Sequence, residues 1–454
     1  MFRPAPAHPT KFGILLLTLS ILYGCSDAPL PVAPRLPATP QAFAGPVATV
    51  TNTDDSGPGS LRDAIAAADP GTTIQFDPSI AGQTIVLTTA LEPDQSMTIE
   101  GPAGAGVTIS GGLTTRVLVV ATGTTVTLRN LTITNGRHEF GAGILVAGGS
   151  AILDHVLVAN NEAVSDGGGI TVKSGDLVVV NSTISGNTAL IGGGFISSGN
   201  VILRNSTIAE NTSASGGGLY TPEGSITFRN TIIADNIDSD PGATPEADCR
   251  FGSNAAVAYV GANLSSDGSC GSGPSMLTAN PKIGSLTNNG GPTQTHGLLG
   301  DSPAIDAGVS CTETSDQRYV SRPQGPSCDI GAFEFTDYGT YQITIGPNIA
   351  VNRQSGVATV SGTISCSKET GALLRVRLSQ TQKTTGKFTT IIQGDALASV
   401  TSCSSAPVSW SVAVMPDAGK FENGSASGRA TTEPTPPGYL IGDVTTPVKL
   451  FWVK

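Results

Sequence analysis

The sequence predicts an all-β chain organised around a parallel β-helix, and three observations predict it. A step of apolar residue, variable residue and Asn recurs at Leu128-Arg129-Asn130, Val179-Val180-Asn181, Leu203-Arg204-Asn205 and Phe228-Arg229-Asn230, with Leu153-Asp154-His155 in the missing turn. The third positions of these steps lie 24 to 26 residues apart. A glycine before an apolar residue keeps the same beat, at Gly143-Ile144, Gly169-Ile170, Gly194-Phe195 and Gly218-Leu219. Between the markers run stretches such as Val126-Thr127-Leu128, Leu131-Thr132-Ile133 and Ile144-Leu145-Val146, which are strand-length and set in sequence too rich in glycine for helices. Two markers on one period define a repeat. A coil of about 25 residues holding two or three strands buries its apolar face only by stacking on its neighbours. A leucine-rich repeat is the competing solenoid, but its Leu consensus and helical segment are absent.

Within that coil, Asn130, Asn181, Asn205 and Asn230 are expected to form a ladder at a tight bend, each amide bonding the next and each tolerating left-handed backbone. His155 reads as a hydrogen-bonded stand-in for Asn. The glycine clusters supply the other corner. Ahead of the repeats, Ser60 to Ala68 is the one convincing helix: Ser60 is an N-cap with Asp63 three residues on, and Asp69-Pro70 stops it. Its Leu61 and Ile65 make an apolar stripe fit to cap the open end of the cylinder. Strands at 84–87, 97–99, 107–109 and 117–120 begin the coil. After residue 336 the glycine period stops, and Leu374, Val376 and Leu378 alternate with Arg375, Arg377 and Ser379. Roughly seven short strands there read as a small antiparallel, Ig-like β-sandwich, a spacer or interaction module.

The 454 residues divide into a signal peptide (1–25), a tether (26–45), the β-helix (46–336) and the sandwich (337–454). Arg3 and Lys11 precede an apolar run, Phe12 to Leu22, too short to span a bilayer. It ends Leu22-Tyr23-Gly24-Cys25, which resembles a bacterial lipobox and implies lipidation of Cys25. Ser26, rather than Asp, after the cysteine suits outer-membrane sorting. Pro29, Pro31, Pro34, Pro37 and Pro40 make the next segment an extended spacer. The chain is thus expected to be exported and lipid-anchored at the outer membrane or cell surface. Its formal net charge of −11 and low charged content, 13%, argue against nucleic acid as a partner. Beyond Cys25 the cysteines are Cys249, Cys270, Cys311, Cys328, Cys366 and Cys403, an even set suited to an oxidising compartment. Sequential pairing is preferred, with the other connectivities open.

Two longer stretches carry a family resemblance. Asp55-Ser56-Gly57-Pro58-Gly59-Ser60-Leu61-Arg62-Asp63-Ala64-Ile65, followed by Gly71 to Phe76, resembles the amino-terminal cap of bacterial right-handed β-helix surface proteins. Asn280-Pro281-Lys282-Ile283-Gly284, Asn289-Gly290-Gly291-Pro292-Thr293, Leu298 to Gly308, Arg322-Pro323 and Cys328 to Glu334 are similar to the choice-of-anchor Q domain. The repeats more distantly resemble polymorphic outer-membrane proteins. The resemblance implies a right-handed helix over roughly 48–335 and a surface role. It also places Asp306, Arg318, Arg322 and Asp329 in a signature where they are expected to form buried ion pairs closing the carboxyl end.

Chemistry is sparsely written on this body. A lyase on a β-helix wants a base beside acidic Ca²⁺ ligands, and a glycosidase wants paired carboxylates. Arg137, His138 and Glu139, in the loop before Gly141, and Asp166 one turn on are the candidates; solvated loop residues are the plainer reading. Asp235, Asp238 and Asp240, followed by Glu246 and Asp248, could hold Ca²⁺, although their spacing matches no loop motif; no other cofactor is expected. Aromatics are only 5% of the chain, and sugar-binding grooves usually offer stacking rings. The favoured function is therefore non-catalytic adhesion, binding of a carbohydrate or surface-protein ligand, or surface display. A polysaccharide lyase or glycosidase of the pectate-lyase-like class is the alternative, and a structural spacer the third.

Overall fold

A computed structural model describes residues 45–240, 247–336, 341–367, 370–383, 389–433 and 443–453. The signal segment, Cys25, Glu246 and nearly all of the Pro-rich tether lie outside the described residues.

The repeats stack as a parallel β-solenoid. One face is an eleven-stranded sheet that begins at Val47–Val50 and includes Cys249–Val260 at its far end; a second, nine-stranded sheet runs from Thr84–Val86 to Met276–Thr278. A third face is made of short pieces, Arg137–Phe140 on Glu162–Asp166 and Thr212–Ser213 on Ile237–Asp238. Register is kept from turn to turn. Leu128 lies beside Leu153, then Val179, Leu203 and Phe228, while Ile133, Val158, Ile184, Ile208 and Ile233 make the matching column of the second sheet. All ten are essentially inaccessible to water and belong to one core. Each such side chain contributes about 1.5–3 kcal/mol by burial, so the cylinder is held by its interior columns.

The markers have distinct physical jobs. Asn130, His155, Asn181, Asn205 and Asn230 stand one above another, each following a paired strand end, with φ between 43° and 59°. Their side chains do not bond in series as expected. The amide of Asn230 exchanges hydrogen bonds with the Val309 backbone, Asn130 accepts from the Tyr319 hydroxyl at 2.7 Å, and Asn205 makes none among the described residues. The amide ladder is another column. Asn161, Asn187, Asn211 and Asn236 each donate Nδ2 to the next carboxamide oxygen, at 2.9, 2.9 and 3.0 Å, and the last donates to Asp248 at 2.9 Å. Each Nδ2 also donates to a carbonyl of the preceding turn, and each oxygen also accepts a backbone N–H from that turn. Each residue of this column follows a second left-handed corner (Asn160, Gly186, Glu210, Asp235), and its carboxamide bonds that of the next turn. The marker glycines serve this inner ladder. A Cβ on Gly169 would stand 2.5 Å from the Gly194 carbonyl and 3.1 Å from the Asn187 carboxamide.

The amino-terminal helix is shorter than expected, Leu61–Ala66, so it ends before Asp69-Pro70. Ser60 Oγ accepts from Asp63 N at 3.2 Å, but the Asp63 carboxylate accepts from Gly57 N rather than closing a box on Ser60. Leu61 and Ile65 join the core.

Residues 281–335 run back along the outside of the second sheet, which is why strands such as Leu157–Ala159 and Ile232–Ala234 are buried on both sides. Thr183 Oγ1 donates to Gln317 at 2.7 Å, the Ala332 N–H donates to Thr207 Oγ1 at 3.1 Å, and Tyr319 stacks on His155 at 4.2 Å. A separate apolar cluster, including Ile232, Leu264, Leu298, Ile330 and Phe333, forms beneath this clasp. The cysteines pair sequentially, Cys249–Cys270, Cys311–Cys328 and Cys366–Cys403.

Beyond the clasp, an eight-stranded sheet encloses a core of its own with Trp410 and Phe421. It departs from an all-antiparallel Ig-like pattern: Asn348–Asn352 runs parallel to Asp443–Val453. Alternation of side chains specifies a half-buried strand but not the direction of its neighbour.

Candidate functional site

The four candidate catalytic residues fall on the third face, where the side chains of Arg137 and His138 have partners. Residues 137–140 form a strand rather than a loop, lying parallel on Glu162–Asp166 because the coil spacing puts the two segments in register. Arg137 reaches Glu162 at 3.4 Å, both of them solvent-exposed to about half. Glu139 is exposed. The Asp166 backbone carbonyl accepts from Gly141 N and from Thr171 Oγ1 at 3.0 Å.

The residue that organises this face is Arg116. It is 7% exposed, donates Nε to the Gly141 carbonyl at 2.9 Å and Nη2 to the Phe140 carbonyl at 2.6 Å, and lies 2.8 Å from His138 Nδ1. A guanidinium has no lone pair to offer, so Nδ1 is the acceptor and the imidazole is held neutral. Partial burial lowers the His138 pKa, and the Arg116 charge lowers it further. Above this frame stands Phe140, with the Lys173 ammonium 3.7 Å from its ring centroid and the Arg116 guanidinium at 5.3 Å. Lys173 is exposed and has no ion-pair partner among the described residues. The arrangement offers a ring, a free ammonium and a neutral imidazole on one open patch. Sequence reading missed Arg116 and Lys173, yet a signal existed: Arg116 lies one coil before Gly141, and Lys173 is the one charged residue at its place after the glycine markers, where the other turns have Ala147, Ser198 and Pro222.

Carboxyls with strongly raised pKa values lie elsewhere and are structural. Asp248, pushed to about 6 by burial, ends the amide ladder and accepts from Ser265 and Ser266. Asp329, pushed to about 7 by burial, sits in the clasp and accepts from the Asp306 and Phe335 N–H groups. The expected ion pairs of the clasp are formed with other partners: Arg318 with Asp316 at 2.6 Å and Arg322 with Glu334 at 2.8 Å, all four side chains at most 2% exposed. Asp306 takes a left-handed corner, and its carboxylate accepts from Ser327 N.

The raised Asp329 gives a pH dependence. Between its ordinary 3.8 and about 7 the native state holds a proton that the unfolded chain has released. Its contribution is therefore full below pH 4 and lost as pH rises through 7, on the order of a few kcal/mol. Melting curves at pH 5 and pH 8 should converge for Asp329→Asn relative to the parent. Parallel pH profiles for the two proteins would refute this.

Of the acidic residues considered for Ca²⁺, Asp235 is a left-handed corner whose N–H donates to Ser266 Oγ, and the Asp238 carboxylate accepts from Asp240 N. Among the described residues no group of three His, Cys, Asp or Glu could hold a metal ion, and no helix is long and apolar enough to cross a membrane.

Comparison with known proteins agrees with the geometry. The family model for a right-handed β-helix region matches residues 116–269, and the solenoid is a right-handed parallel β-helix. No curated protein matches the chain. Among solved structures it is similar to the Acinetobacter phage vB_ApiP_P1 tailspike protein at 13% identity, over 90% of this chain and 89% of that one, with a TM-score of 0.22.

Proposed function

We propose that this chain is a lipid-anchored β-helix protein of a bacterial cell surface that binds an anionic glycan without transforming it. Cys25 is the lipidated residue, and the Pro-rich segment after it holds the body away from the membrane. The helix Leu61–Ala66 serves as the amino-terminal cap of the rod, the clasp corresponds to the choice-of-anchor Q region, and the carboxyl-terminal sheet is a sandwich-like spacer module. The observation that carries the binding reading is the Lys173 ammonium poised on the Phe140 ring with no ion-pair partner among the described residues. A ring face suits the C–H face of a sugar, and an unpaired cation suits its carboxylate. The non-catalytic reading is supported by Arg137 and His138 being engaged with Glu162 and Arg116.

The test is a glycan array followed by titration with uronate oligosaccharides. Saturable binding is expected, weakened at least about tenfold in Phe140→Ala and Lys173→Ala, a difference of about 1.4 kcal/mol each. Incubation with pectins and alginates in the presence of Ca²⁺ should give no unsaturated product absorbing in the ultraviolet. Such product would establish the lyase alternative, and absence of any glycan binding would leave the spacer.

A further inference from the structure

A second ring and cation follow Phe140 and Lys173 along the rod. Phe140, Asp166, Ile191 and Ser215 each precede a left-handed glycine, at Gly141, Gly167, Gly192 and Gly216. The N–H groups of Gly141, Gly167 and Gly192 donate to the carbonyls of Asp166, Ile191 and Ser215, so the four residues form one column, one to a turn. Beside it, strand register sets out a second column, Leu145, Thr171, Ile196, Tyr220 and Arg250. The two columns touch. Thr171 Oγ1 donates to the Asp166 carbonyl at 3.0 Å, and the Arg250 guanidinium donates to Ser215 Oγ. That guanidinium also lies 5.6 Å from the centroid of the Tyr220 ring. Tyr220 is half-buried and Arg250 exposed, while Ile191 and Ile196, both half-buried, occupy the turns between.

Ser215 is three turns from Phe140, and the strand of Arg250 is three from that of Lys173. At roughly 4.8 Å per strand, each offset is about 14 Å. Resting on the reading of the Phe140 patch as a glycan site, we infer that Tyr220 and Arg250 form a second subsite. The ligand is then an acidic glycan chain lying along the rod and long enough to reach both pairs. Each pair offers a ring beside a positive charge, the chemistry that suits a sugar carrying a carboxylate. A single sugar ring cannot cover the distance between them, so several must lie in line. The one carboxylate in the first column, Asp166, adjoins Phe140 and disfavours an acidic sugar at its own turn. Charge is therefore read at the two ends of the path, and the apolar faces of Ile191 and Ile196 underlie its middle.

The experiment titrates the full chain, carrying Cys25→Ser to keep it unlipidated, with uronate oligosaccharides of increasing length from the disaccharide upward. Short chains meet the first subsite alone. Affinity is expected to step up at least about tenfold once the oligosaccharide spans both, because the second contact is then intramolecular. Tyr220→Ala and Arg250→Gln should each remove the step and leave disaccharide binding as in the parent. Tyr220→Phe, which keeps the ring, should retain it. Phe140→Ala should instead abolish disaccharide binding. An affinity that does not change with length, or a step that survives Tyr220→Ala, would overturn the second subsite while leaving the Phe140 site standing. Failure of every oligosaccharide to bind would overturn both.

Discussion

Replacing Arg322 by Ala is expected to destabilise the protein by about 3–5 kcal/mol, the cost of stripping one partner from a buried ion pair. The guanidinium is fully enclosed and donates to Glu334 Oε2 at 2.8 Å and to the carbonyls of Asp329 and Gly331 at 3.0 and 2.7 Å. Glu334 in turn holds the N–H groups of Gln324 and Asp329. Without the cation a buried carboxylate stands beside Asp329, and the turns at 322–331 lose what fixes them. The damage should therefore appear first as faster amide exchange and proteolysis in 311–335 and in the strands it covers. Arg322→Lys keeps the charge but not the fork, so it should restore only part of the loss. A change below about 1 kcal/mol, typical of an exposed pair, would show that the clasp is not held here.

Asn211→Ala should cost nearly as much, about 3–5 kcal/mol, because truncation leaves several buried groups unmatched at about 1–3 kcal/mol each. Asn211 Nδ2 donates to Asn236 Oδ1, Ile184 O and Ala209 O, while its oxygen accepts both Asn187 Nδ2 and Asn187 N. Asn205 shares the same repeat period but bonds to nothing through its amide among the described residues. Asn205→Gly, which keeps the left-handed corner, should cost less than about 1 kcal/mol. Urea titrations of the two variants decide the matter. Equal losses would mean that the inner column is not what ties turn to turn.

The two asparagine columns mark how far sequence reading reaches. Both repeat every 24 to 26 residues, and either could have been the ladder on spacing alone. The column at Asn130, Asn181, Asn205 and Asn230 drew attention because it follows clear apolar strands, and its left-handed backbone agrees with that reading. Which column's amides bond one another is set only when the coil closes and brings successive turns together. The glycine at 169 shows the same division: its period was visible, but the reason for it, the Asn187 carboxamide packed against it, was not. Lys173 was hidden for a related reason. Its partner Phe140 lies on the preceding turn, and a cation meeting a ring across turns has no local signature.

By itself the chain determined the coil length, the strand-rich class and the left-handed corners, because each depends on residue type at a fixed interval. Only the tertiary structure decided which column bonds, which acids pair with Arg318 and Arg322, that residues 281–335 lie along the second sheet, and that two strands of the carboxyl-terminal sheet run parallel. Those outcomes depend on direction and on contacts between distant segments, and a periodic pattern states how often a residue returns without stating what it will face.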